Sequence, residues 1–349
     1  MKRIGHRGAT EPMNLPPSDA EQLRRKANAG DIAAMAALGR SLISASTASP
    51  SDLEEARRLL IPSADAGNGE AAFLVSRLTG IDASLENSWA RALTYLTRSA
   101  AQGYLISQIE LAFLAGQPGV VKAVAKGEIL PSGIWQSLHE AIDPGIWTAK
   151  APRPRFISTA PPIAVAENFA SPDICDWLIH AARSKLGPST SYDRSSGRSV
   201  ASHKVATPEL DLVVMSLVHR IAAMTGVPIN GQEGASVLRY QPGEKFEPHY
   251  DFLDPRQTPE LAADILKSGQ RVITFLLYLS EDFEGGETYF PKIGRGYKGR
   301  KGDALFFRNV DDAGNPDYTA LHAGLAPTRG EKWVFVRVCT RIPVNPGTA

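Results

Sequence analysis

Cysteine is scarce in this sequence: its 349 residues hold only Cys175 and Cys339, 164 positions apart. Two such distant thiols cannot build a disulfide framework or a cysteine zinc site. Neither sign of charge dominates, since 38 Lys and Arg stand against 37 Asp and Glu. A protein that grips duplex phosphates normally carries a basic excess, so nucleic acid is not the expected partner. Long apolar runs are lacking too, and nothing approaches the roughly 20 residues that cross a bilayer. The opening MKRIGHRGATEPMNLPPS has charge but no apolar core, unlike a secretory signal. These absences lead us to expect a cytoplasmic protein with no membrane partner. Core-forming residues are plentiful at 43% hydrophobic, which excludes wholesale disorder. At roughly 150 residues per domain, the length suggests two domains.

Composition changes near the middle. Residues 19–115 are rich in Ala, Leu and charge, whereas Gly, Pro and aromatics mark the second half. Within the first half, Ala27-Asn-Ala-Gly30, Ala64-Asp-Ala-Gly67 and Ala100-Ala-Gln-Gly103 recur at intervals of 37 and 36 residues. Apolar residues follow each Gly at helical spacing, as with Ala34 and Leu38, Ala71 and Val75, then Leu111. One shared register predicts stacked antiparallel helix pairs, with Gly permitting each turn and small residues allowing close approach. The pattern resembles Sel-one-like repeats, relatives of the tetratricopeptide helix pairs, which implies a surface for a protein partner. The third copy departs by placing Ser107 where Ala is expected. Residues 50–51 and 82–84 are expected to be loops and caps within the repeats.

Prolines at 152, 154, 161 and 162 mark a boundary, because Pro withholds a backbone donor. Ser171-Pro172-Asp173 then predicts a helix start, with Ser as N-cap and Pro at the first helical position. Beyond it the hydrophobic period shifts towards 2, and Ser236–Tyr240, Val272–Leu279, Ala304–Phe307 and Trp333–Val338 are expected strands. Several antiparallel strands after one or two helices suggest a sandwich or barrel.

Seven histidines are present, and most have ordinary explanations as tail or helix residues. His249 and Asp251 lie two apart on an extended segment, so they project from one face. By itself that pair is more simply a structural contact. His322, 71 residues after Asp251, supplies a third ligand type. Two His and one carboxylate on a β-scaffold fit the facial triad of non-haem Fe(II) oxygenases, although zinc hydrolases use the same donors. Lys332, ten residues after His322, favours iron: on a neighbouring strand it can hold a dicarboxylate that chelates the metal.

The ordered blocks ENFASPDICDWLIHAARSKL, RYQPGEKFEPHYD, GQRVITFLLYL, EGGETYFP, KGRKGDALFF, FRNVDDAGNPDYTALHAG and GEKW resemble the prolyl 4-hydroxylase branch of the 2-oxoglutarate/Fe(II)-dependent dioxygenases. Together with the repeats and the proline boundary before it, the resemblance implies an α+β, two-domain protein. Residues 1–17 would be a mobile tail, 18–142 an all-α helical-repeat domain and 143–156 a Pro-rich linker. Residues 157–343 would be the oxygenase, a double-stranded β-helix (jelly roll) with flanking helices. It also implies that His249, Asp251 and His322 hold iron, and that Lys332, Tyr240 and Thr288 bind the 5-carboxylate of 2-oxoglutarate. Arg271 and Phe246 would face the substrate. Fe(II), 2-oxoglutarate and O2 would be the reactants, with ascorbate as reductant.

The expected activity is hydroxylation of an unactivated C–H bond, foremost in a peptidyl proline, with the repeats recruiting the substrate protein. Asp251 favours hydroxylation, since related halogenases lack that carboxylate to admit halide. Three departures fall where substrate would sit. Val338 stands where the family often has Trp, Phe246 where Tyr is common, and SYDRSSGRSVASHKVAT lacks the usual Arg-Thr-Ser. They keep open a small molecule or peptide natural product as substrate. A repeat adaptor with an inactive oxygenase domain is the alternative from another class. The basic run Lys292, Arg295, Lys298, Arg300, Lys301 is expected to be a solvated hairpin.

Overall fold

The computed structural model describes residues 17–44, 49–80, 85–147, 150–188, 199–205 and 209–341. The tail residues 1–16, the loop 82–84 and most of the divergent substrate segment lie outside them. The chain divides into two units: Met1–Thr148 with Ala206–Ser216, and Ala149–Val205 with Leu217–Ala349.

The first unit is helical. Its elements are α1 (Pro17–Asn28), α2 (Ile32–Ser44), α3 (Pro50–Asp65), α4 (Gly69–Gly80), α5 (Leu85–Ala101), α6 (Leu105–Leu114), α7 (Pro118–Ala125), α8 (Ile134–Ala141) and α9 (Pro144–Trp147). The three repeat glycines sit at φ +86, +92 and +81, the left-handed region that a helix end needs and that side chains resist. Each end closes alike: Asp31 N–H donates to Lys26 O, Asn68 N–H to Ser63 O and Tyr104 N–H to Ser99 O, all at 3.1 Å. The same closure recurs at Gly116 and Gly127. Ser49 caps α3 in a reciprocal box with Asp52, so residues 50–51, expected as loop, form the first turn of the helix.

Repeat-to-repeat contacts also recur. The Ser63 hydroxyl donates to Ile32 O at 2.9 Å, and the Ser99 hydroxyl to Gly69 O at 2.7 Å. Ser107, the departure in the third copy, donates to Ser99 Oγ at 2.8 Å and so pairs a fully buried hydroxyl. Ion pairs bridge one repeat to the next, Arg40 to Glu70 at 2.6 Å and Arg98 to Asp65 at 2.8 Å. The Arg77–Glu110 pair is buried, and Glu110 Oε1 also accepts the backbone N–H of Leu212 at 2.9 Å. Beside it, Met215 packs against Gly80 so closely that a Cβ there would lie 3.0 Å from its Cγ. The segment Ala206–Ser216 is thus part of this unit although it comes later in sequence. Trp147 is buried, donates its indole N–H to Leu114 O and stacks on Trp89. The Pro-rich stretch from 143 therefore begins as packed helix, because its Trp finds an apolar slot.

The second unit is mainly β. Its elements in order are β1 (Arg155–Thr159), β2 (Pro162–Ala166), α10 (Pro172–Arg183), β3 (Gly187–Pro188), β4 (Ala201–Lys204), α11 (Leu212–Thr225, in this unit from Leu217), β5 (Ser236–Tyr240), β6 (Phe246–His249), α12 (Pro259–Ser268) and β7 (Gln270–Tyr278). They continue as β8 (Glu284–Gly285), β9 (Thr288–Phe290), β10 (Arg295–Tyr297), β11 (Ala304–Arg308), β12 (His322–Gly324), β13 (Pro327–Arg329) and β14 (Lys332–Arg341). The large sheet runs β1-β2-β11-β7-β14-β5-β4-β3 and the small one β10-β9-β12-β6. Apolar residues of both fill the space between, with Phe290 of β9 edge-on to Phe307 of β11 at 5.1 Å. This is the double-stranded β-helix, flanked by helices. The Ser171 hydroxyl accepts from Ile174 N–H and opens α10 where the sequence placed it. Both cysteines are free and buried, and burial pushes Cys175 up to about 12 and Cys339 to about 11. No helix among the described residues is long and apolar enough to cross a membrane.

Candidate active site

Strand β6 ends at His249, and β12 begins at His322. The two strands pair with these residues in register. Asp251 follows β6 and closes the group: Oδ1 lies 3.6 Å from His249 Nε2, and Oδ2 lies 3.4 Å from His322 Nε2. One ligand atom from each residue falls within 4.8 Å of the others. Backbone carbonyls fix both imidazoles, since Nδ1 of His249 donates to Glu247 O at 2.8 Å and Nδ1 of His322 to Ala320 O at 3.1 Å. That leaves the Nε2 lone pairs for a metal, the arrangement that metal-ligating histidines need. Aromatic rings brace them, Phe246 at 3.5 Å between centroids from His249 and Phe307 at 4.6 Å from His322. Burial pushes the Asp251 carboxyl up, but His322, His249, the Thr274 hydroxyl and Arg271 together outweigh it and hold it at about 2. An ionised carboxylate and two imidazoles are a donor set that would hold Fe(II).

The other end of the site is built on the large sheet. Lys332 opens β14 opposite Tyr240 of β5, with its ammonium 4.8 Å from the centre of the Tyr240 ring. Only 1% of Lys332 is exposed, and burial lowers its pKa to about 7, with Glu287 acting in the opposite sense. A buried ammonium without a close carboxylate is costly, and an incoming anion would relieve that cost. Thr288 is buried on β9 and shares a hydrogen bond with the Tyr278 hydroxyl at 2.9 Å. Space at this end is kept by Gly324: a Cβ there would sit 2.9 Å from the Tyr240 hydroxyl. Gly330 lets β14 start where it does, because a Cβ would lie 2.0 Å from Asp282 O and its φ is +75.

All eight residues singled out from the sequence line one cavity of about 1430 Å³. Arg271 is there but engaged, paired bidentately with Glu233 at 2.6 and 3.0 Å and donating to Asp251 O at 3.5 Å. Val338 lines the wall as well. Of the divergent substrate segment, Ser202 and Lys204 on β4 reach the cavity. Glu233, Thr274 and Tyr278 were not expected here. The basic run is partly ion-paired, with Lys301 on Asp176 at 2.6 Å and Lys298 donating to Phe283 O.

The model of the 2OG-Fe(II) oxygenase superfamily matches residues 235–337. Prolyl 4-hydroxylase 1 of Arabidopsis thaliana is 33% identical over 202 residues, covering 52% of this chain and 69% of that protein. This chain is a 2OG-Fe(II) oxygenase. Prolyl 4-hydroxylase 5 of the same plant is 35% identical over 204 residues, covering 51% of this chain and 67% of that oxygenase. Among solved structures, the viral collagen prolyl hydroxylase of Paramecium Bursaria Chlorella virus-1, in its 2OG complex, is 27% identical. It aligns with a TM-score of 0.40 over 50% of this chain and 94% of that one. Fe(II), 2-oxoglutarate and O2 are the reactants of a 2OG-Fe(II) oxygenase, and the His249, Asp251, His322 donor set fits the metal.

Proposed function

We propose that this oxygenase hydroxylates proline residues of a peptide chain. The observation that carries the reading is one cavity holding a two-His, one-carboxylate cluster and a buried lysine that makes no ion pair among the described residues. Iron held by His249, Asp251 and His322 would, with 2-oxoglutarate as cosubstrate, supply an oxidation that puts one atom of O2 into a substrate C–H bond and the other into succinate, with CO2 released. Lys332, Tyr240 and Thr288 receive the far carboxylate, where a charge-assisted bond selects a dicarboxylate of one length. Arg271 and Phe246 stand on the substrate side.

The cavity of about 1430 Å³ has room for a substrate beside the metal and cosubstrate. Proline is favoured by the named activity of the Arabidopsis relatives. The helical unit recruits the substrate protein, ascorbate serves as reductant, and the setting is the cytoplasm. Succinate release should rise with proline-containing peptides, and mass spectrometry should locate the added oxygen on proline. Succinate coupled to a small molecule, with every peptide unmodified, would replace this reading.

A further inference from the structure

One buried residue touches the settings of two of the three triad members. Asn309, fully buried directly after β11, donates its side-chain N–H to Thr274 Oγ1 at 2.9 Å. Thr274, on β7 and 1% exposed, donates in turn to Asp251 Oδ2 at 2.6 Å. Direction is forced along this relay. A hydroxyl has one proton, and an amide NH2 can only donate, so the Thr274 proton must point at the carboxylate.

The main chain of Asn309 reaches the second member. Its N–H donates to Val272 O at 2.9 Å, and its carbonyl accepts from Asp317 N–H at 3.0 Å. Asp317 caps the turn Tyr318–Ala320, and Ala320 O is the acceptor for His322 Nδ1. A third observation concerns cost. The Asn309 Oδ1 atom is buried and has no hydrogen-bond partner among the described residues, an arrangement that folded proteins avoid. Rotating the amide would pair that oxygen with the Thr274 hydroxyl but take the proton away from Asp251. The structure keeps the orientation that serves the carboxylate.

We propose that Asn309 and Thr274 are positioning residues for the metal site: Asn309 aims the Thr274 hydroxyl at Asp251 Oδ2 and anchors the turn that orients His322. The inference rests on the triad assignment above.

Mn(II), which gives a free-ion resonance signal, is titrated anaerobically into the full chain. Loss of an outer partner typically costs 10–100-fold in metal affinity, so Thr274→Val should weaken Mn(II) binding by about that factor, read on the fraction that is folded. Thr274→Ser restores the hydroxyl and should bind within about threefold of the parent. Asn309→Asp offers Thr274 an acceptor and should show the Val-like loss, which decides the matter if Thr274→Val does not fold. Parent-like affinity in the Val and Asp variants, or equal losses in Val and Ser, overturns the proposal. His249→Ala and His322→Ala are run alongside. If they bind Mn(II) like the parent, the triad assignment falls and the relay with it; if they lose binding while Thr274→Val keeps it, the relay alone falls.

Discussion

Lys332 and Tyr240 face each other across the β14–β5 ladder, with the ammonium 4.8 Å from the ring centre and both residues buried. A cation over an aromatic face gains some attraction, yet burial still lowers the lysine to about 7. Lys332→Ala should therefore spare metal binding and raise the 2-oxoglutarate requirement about 10- to 150-fold, since a charged hydrogen-bond partner contributes about 1.5–3 kcal/mol. An unchanged cosubstrate titration would reassign the carboxylate to another base.

The same lysine predicts a pH dependence. Its charged form is the one a carboxylate binds, and the ligand-free protein loses that charge as pH rises through about 7. Cosubstrate affinity should fall from pH 7 to pH 9, with net proton uptake on binding. Stability of the ligand-free protein runs the other way. Between about 7 and the ordinary lysine value the unfolded chain holds more protons, so stability from this group increases with pH across that window. Calorimetry in buffers of differing ionisation enthalpy reads the proton uptake.

Gly324→Ala places a Cβ 2.9 Å from the Tyr240 hydroxyl, 3.0 Å from Cε1 and 3.2 Å from Cζ. The ring must give way. Losing one neutral hydrogen bond costs about 0.5–1.5 kcal/mol, so the KM for 2-oxoglutarate should rise about 2- to 13-fold. Metal affinity should stay at the parent value. Steady-state kinetics with a parallel metal titration checks both.

In the helical unit, Glu110→Ala leaves the Arg77 guanidinium buried without its carboxylate and removes the acceptor of Leu212 N–H. Breaking a buried pair from one side costs about 3–5 kcal/mol. Urea unfolding should show a loss of that order, and a loss below about 1 kcal/mol would mean that water reaches Arg77.

Recruitment by the repeats predicts a split between substrates. Leu105 and Ile106, 51% and 48% exposed at the start of α6, are apolar and far from chemistry in sequence. Leu105→Asp with Ile106→Asp should raise KM for a full-length protein substrate while leaving a short peptide unaffected. Equal KM values in parent and variant would direct the search for a docking surface elsewhere.

Much of the site was legible because its chemistry leaves period and spacing behind. The spacing of two marked His249 and Asp251 as a pair, although Asp251 lies just past the end of β6, and Lys332 opens the last apolar strand. The strands themselves followed from β-branched runs, with Ser236–Tyr240 read to the residue. Thr274 and Asn309 were not legible, since a Thr inside VITFLL reads as strand material and an Asn before Val-Asp-Asp reads as turn. Their meaning lies in a pairing 35 residues apart. Glu233 likewise gained its role only by meeting Arg271 across 38 residues. Gly116 and Gly127 end helices like the other three, but their short spacing falls outside the repeat interval that drew attention to Gly30, Gly67 and Gly103.

The return of Ala206–Ser216 to the helical unit bears on how the protein is made and inherited. A ribosome that has released the chain as far as Thr148 has not yet supplied everything that unit packs. Glu110 waits for the Leu212 N–H, and the gap beside Gly80 waits for Met215, until the start of α11 emerges. A gene fusion that joined these repeats to some other catalytic domain at the proline-rich joint would leave that lodging vacant. A foreign repeat array joined to this oxygenase would have to bring its own counterparts of Gly80 and Glu110. Shuffling at the joint alone therefore damages both pieces, and the two have reason to diverge together.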